Sequence, residues 1–93
     1  MSGRFRVAGA FPLPNVGLFA VHGEIVDGVA RIGQFASSSS GFHARVHGVE
    51  FVRLADGHED LALTFLPGPT DDLSAWQSLA TAGEEIELAE RRP

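Results

Sequence analysis

The feature that most restricts this chain is an apolar residue at every second position, interrupted at short intervals by glycine or proline. Alternation of period two marks strands with one buried face, and the interruptions mark turns. Phe5 and Val7, with Phe11, open a first strand. Pro12 and Pro14 bracket Leu13 and either end this strand or hold it at an edge, because proline cannot donate to a ladder. Asn15-Val16-Gly17 reads as a turn. Leu18–Val26 is a second strand, with Phe19, Val21 and Ile25 on one side and His22 and Glu24 on the other. Asp27-Gly28 predicts a tight hairpin into a third strand, Val29–Phe35, with Gly33 as a bulge or point of close approach.

Ser37-Ser38-Ser39-Ser40-Gly41 is a polar loop. Phe42–Leu54 is the longest predicted strand. Phe42, Ala44 and Val46 share one parity and His43, Arg45 and His47 the other, and the alternation breaks near Gly48, as at a bulge that bends the strand. Ala55-Asp56-Gly57-His58 is a turn before a fifth strand, Glu59–Leu66, in which Leu61, Leu63 and Phe65 alternate with Ala62, Thr64 and Leu66. Pro67-Gly68-Pro69 stops it. Thr70 or Asp71 is placed to cap a helix running to about Ala80. Its apolar face carries Leu73, Trp76 and Leu79 or Ala80, at spacings of three and four. Gly83 ends the helix and Glu85–Leu88 is a last strand.

A chain of 93 residues has material for one core, burying roughly 60% of the surface its unfolded form exposes. The predicted fold is therefore a single all-β domain over residues 1–93. Strand edges must be paired or covered, and closure achieves this for a short chain. The expectation is a small six-stranded antiparallel Greek-key-like barrel with one short helix near the C-terminus.

Composition removes several function classes. With no cysteine there is no disulfide framework, zinc ribbon or thiol nucleophile. A net charge of −5 argues against general nucleic-acid binding, which uses a basic face. The start, Met1-Ser2-Gly3-Arg4-Phe5-Arg6, has no apolar run of signal-peptide length, and no stretch approaches the ~18 apolar residues of a membrane span. The expected location is cytoplasmic, with Arg91-Arg92-Pro93 as a solvated tail.

Phe11-Pro12-Leu13 with Gly17 and Val21-His22-Gly23-Glu24-Ile25 form one recognisable piece, and Gly28-Val29-Ala30-Arg31-Ile32-Gly33 a second. The third is His47-Gly48-Val49-Glu50-Phe51. The fourth joins Glu59-Asp60-Leu61-Ala62-Leu63 to Gly83-Glu84-Glu85-Ile86. In this order, from Phe11 to Leu88, the chain resembles the second, β-barrel domain of translational GTPases of the elongation factor Tu type. That resemblance implies a barrel that helps to hold the aminoacylated end of transfer RNA. It implies that Glu50 matches a glutamate contacting the terminal adenosine, and that Asp60 matches an asparagine beside the aminoacyl group. No phosphate loop of the Gly-x-x-x-x-Gly-Lys-Ser/Thr kind is present, so GTPase chemistry is not expected.

Other candidate groups have plainer readings beside the functional ones. His43 and His47 lie about 13 Å apart along one strand, too far to share one zinc ion held at about 2 Å. A cross-strand pair of His22 with His43, helped by Glu24, is the remaining metal arrangement, and solvent-facing histidines are the commoner outcome. His58-Glu59-Asp60 offers acid–base groups at a turn without a recognisable partner nucleophile, and no Gly-x-Ser-x-Gly elbow surrounds the serines. Trp76 reads as a plug for one barrel end rather than a stacking platform. Arg31, Arg45 and Arg53 either converge on an outer face or pair with the acidic excess.

The expected function is thus a non-enzymatic binding module with no cofactor and no metal. Its ligand residues, by resemblance, are Glu50 and Asp60. Its partner is a protein or a second copy of itself. RNA is the alternative, disfavoured by the charge, because added carboxylates repel phosphates.

Overall fold

A computed structural model describes residues 2–53, 55–69 and 71–90, without the side chains of residues 79–82. Leu54 as a strand end, Thr70 as a cap, Leu79 and Ala80 as helix-face residues and the Arg91-Arg92-Pro93 tail lie outside this description. Six strands and one helix follow in the order β1 (Gly3–Leu13), β2 (Leu18–Gly28), β3 (Phe35–Ser37), β4 (His43–Arg53), β5 (Glu59–Phe65), α1 (Leu73–Ala82) and β6 (Glu85–Ala89). Every pairing is antiparallel, and the sheet closes on itself in the ring order β1-β2-β5-β4-β3-β6. This is the expected Greek-key barrel. Neighbours in sequence form hairpins except at two places, where the chain crosses an end of the barrel.

The first crossing corrects the sequence expectation. Asp27-Gly28 does not turn β2 back into a paired third strand. Gly28 has a positive φ of 73°, but it releases β2 into a segment that crosses to the far side, where β3 pairs with β4 and β6. Most of the predicted strand Val29–Phe35 is this crossing, and β3 begins only at Phe35. Gly33 is correspondingly a turn residue, not a bulge. The crossing is clamped by Gln34, a fully buried polar side chain. Its Oε1 accepts the Arg31 amide at 2.7 Å and its Nε2 donates to the Val29 carbonyl at 3.2 Å. Burying an amide is tolerable only because both ends are paired.

The second crossing is α1. Asp72 caps it, with Oδ1 accepting the amides of Ser74 at 3.0 Å and Ala75 at 3.4 Å. Asp71, one of the two expected caps, instead accepts the Gly68 amide at 2.6 Å and closes the loop before the helix. Trp76 is 6% exposed. It meets the rings of Phe42, Phe19 and Phe65 nearly edge-on, at 5.0, 5.4 and 6.3 Å between centroids. Aromatic rings favour this geometry, and it makes Trp76 the plug of one end of the barrel.

The interior is one cluster of alternating residues: Phe5 and Val7, Phe19 and Val21, Phe42 and Val46, Leu63 and Phe65, Ile86 and Leu88, with Ala36 and Trp76. The predicted break near Gly48 is a register shift between Val46 and Gly48. Two further shifts, between Arg4 and Phe5 and between Val7 and Gly9, gave no sequence signal. Beyond the Val7–Gly9 shift β1 pairs with β2 alone among the described residues, which is why Pro12 is tolerated there.

Candidate functional site

Period-two alternation puts His22 and Glu24 of β2, Glu50 of β4 and Asp60 of β5 on the outer surface. Register then brings most of them together. One row of directly opposed residues runs Gly9–His22–Ala62–Glu50 across β1, β2, β5 and β4; the next runs Phe11–Ala20–Thr64–Gly48. His22 and Glu50 flank Ala62, with their backbones roughly 10 Å apart at two strand spacings. The middle of this surface is built of small side chains. Ala20, Ala62 and Thr64 are buried although they face outward. Larger groups stand around them: Phe11, the His22–Asp60 pair and Glu50.

His22 Nδ1 and Asp60 Oδ2 are 2.8 Å apart, both side chains mostly buried. An ionised carboxylate only accepts, so Nδ1–H donates and the ring orientation is set. The ring lies over Gly9, where any Cβ would collide with His22 Nε2; the glycine admits the close approach. Phe11 packs at 6.1 Å from the same ring, tilted by 53°. Beside this pair the β1 bulge leaves a shallow depression of about 260 Å³ bordered by Arg6, Gly23, Glu24 and Asp60. Arg6 is already engaged, by Glu24 and Glu85 at 3.3 Å each. Glu50 is exposed and has no ion pair among the described residues.

Of the residues singled out in the sequence, Glu50 and Asp60 share this face. The histidine pairing is corrected: His22 and His43 sit on β2 and β4 with β5 between them, and His22 takes Asp60 instead. His43, His47 and His58 are exposed. Among the described residues no three histidine, aspartate or glutamate side chains are grouped to hold a metal ion. Arg45 and Arg53 are engaged separately. Arg45 Nε donates to the Gly33 carbonyl at 3.2 Å and its guanidinium lies over Phe35. Arg53 pairs with Glu59 at 3.5 Å, and Arg31 contributes its backbone amide to the Gln34 clamp. In the serine loop the Ser38 and Ser40 hydroxyls bond each other at 2.8 Å.

Sequence reasoning did not connect His22 with Asp60, nor notice the small residues between. The parity of each strand was legible, but the neighbour relation of β2 and β5 was not. Among the described residues, no helix is long and apolar enough to cross a membrane. Comparison with family models, with curated proteins and with solved structures gave no match.

Proposed function

We propose that this protein is a non-catalytic binding module, similar to the second domain of elongation factor Tu-type GTPases, that docks a protein partner through the outer face of β1, β2, β5 and β4. The observation that carries this reading is the pair of rows described above. A packed centre of Ala20, Ala62 and Thr64 is surrounded by an aromatic ring, an oriented His22–Asp60 pair and the free carboxylate of Glu50. Such a surface sets an exposed aromatic ring, Phe11, and fixed hydrogen-bonding groups around a recessed centre, a combination suited to recognition. The test is affinity capture from a cell extract with the wild type and with Phe11→Ala and His22→Ala variants. The proposal expects a partner retained by the wild type and lost by both variants; identical capture by all three proteins overturns it.

A second reading has one specific observation in its favour: Glu50 and Asp60, the two positions matched to transfer-RNA contacts, lie on the same face. Fluorescence anisotropy with transfer RNA at two salt concentrations separates the readings. Salt-sensitive binding at micromolar protein supports RNA, because neutralising phosphates releases counterions. Its absence leaves the protein-docking reading.

A further inference from the structure

The barrel closes through β3, but β4 outruns that short strand. β3 is only three residues long and pairs with His43, Ala44 and Arg45. Val46 then exchanges one further pair of backbone hydrogen bonds with the crossing segment, to Gly33 and Gln34. From His47 to Arg53, β4 has ladder partners on β5 alone among the described residues, so one side of seven consecutive residues presents free backbone donors and acceptors. Natural sheets guard such edges with proline, inward charge or a covering element. β1 does so where it outruns β6: Pro12 lies in the segment, Pro14 follows, and α1 packs against the strand. The β4 edge has no proline. It carries Phe51 at 77% exposure in a position whose parity is that of the core. Ile32 and Leu66, 70% and 63% exposed, flank its head beside the Gly48 bulge.

We infer that the β4 edge, His47–Arg53, is a strand-addition site for an extended segment of another protein in which basic and apolar residues alternate. This rests on the docking reading above and names the partner's chemistry. Strand addition gives affinity through main-chain hydrogen bonds and specificity through alternate side chains. On the inner-parity side an added strand meets Val49 and Phe51, which call for apolar residues, and at the far end Arg53. On the outer side it meets Gly48, Glu50 and Val52; Glu50, the one charge among them, and the chain's net charge of −5 both call for lysine or arginine. Arg53 is already matched by Glu59.

A second copy of this chain fits less well. Only two antiparallel self-pairing registers set Phe51 against an apolar residue, one centred on Glu50 and one on Phe51. The first puts the two Glu50 side chains directly opposite each other, and the second puts them on the adjacent diagonal. Like charges so placed oppose pairing.

The probe is a fluorescently labelled octapeptide of alternating lysine and valine, with an alternating glutamate–valine peptide as its counterpart. Anisotropy is expected to show saturable binding of the lysine peptide, with amide shifts on titration concentrated in His47–Arg53. Glu50→Lys, at an exposed position, should weaken that binding about tenfold, since an attraction becomes a repulsion of similar size, and should create affinity for the glutamate peptide. No binding, binding indifferent to Glu50→Lys, or shifts confined to other strands overturns the proposal. So does a dimer in light scattering that Phe51→Lys dissolves, which assigns the edge to a second copy. The docking reading is judged separately, by Phe11→Ala and His22→Ala, which lie off this edge.

Discussion

β1 and β4 each run past their partners on one side, at opposite ends of the same barrel, and the two ends are finished differently. At the β1 end, α1 lies across the opening and Trp76 fills it, ringed by Phe19, Phe42 and Phe65. The free backbone there is guarded by Pro12 and by the helix. At the β4 end, the crossing held by Gln34 covers part of the opening, while the β4–β5 hairpin projects with Phe51 uncovered. Identical chemistry, an unpaired strand edge, is suppressed in one place and displayed in the other. The gap at β4 is a surface feature, whereas the plug at β1 is part of the core.

If that contrast is right, substitutions at the two ends should differ greatly in their effect on stability. Trp76→Ala should cost the most, about 3–5 kcal/mol, read from urea unfolding. The wild-type tryptophan emission should also resist iodide quenching. A loss near zero would mean that α1 is not a plug. Gln34→Ala should come next, at about 1–3 kcal/mol, because it strands the Arg31 amide and the Val29 carbonyl. It tests whether the β4 end is held by its crossing segment at all. A double-mutant cycle of His22→Ala and Asp60→Ala should give a coupling of about 0.5–1.5 kcal/mol, placing the candidate face below both ends in energetic weight.

The smallest effects belong to the edges themselves. Phe51→Ser should change stability by about 0.5 kcal/mol or less, as expected for an exposed side chain. Pro12→Val should be similarly mild in stability but should raise concentration-dependent association in light scattering, because it restores a donor to the β1 edge. If Phe51→Ser destabilises as much as Trp76→Ala, the two ends are equivalent and the contrast fails.

Several elements were legible in the sequence for identifiable reasons. Pro12 and Pro14 placed the end of β1 because their chemistry forbids a second ladder partner. The broken parity around Gly48 located the β4 bulge because a bulge shifts every later side chain to the other face. Trp76 at helical spacing from Leu73 announced a buried ring. Other elements were illegible for equally definite reasons. Asp27-Gly28 has the composition of a tight hairpin, yet that composition specifies only a backbone bend, not which strand comes next to which. Asp72 and Asp71 are equivalent as potential caps until the loop from Gly68 chooses between them. Of the candidate site, Glu50 and Asp60 were named through resemblance, but the bond between Asp60 and His22 and the recessed Ala20, Ala62 and Thr64 were not.

Residue alternation determined β1, β2, β4, β5 and β6 and which side of each faces inward, and spacing of three and four determined the helix, because those properties are set by near neighbours in sequence; β3 was not among them, since most of the stretch read as a third strand is the crossing. The ring order, the His22–Asp60 bond and the guarded and open edges were decided only by tertiary structure. They depend on which strands meet after crossing an end of the barrel, and that choice is made by the packing of the whole core rather than by any local stretch of chain.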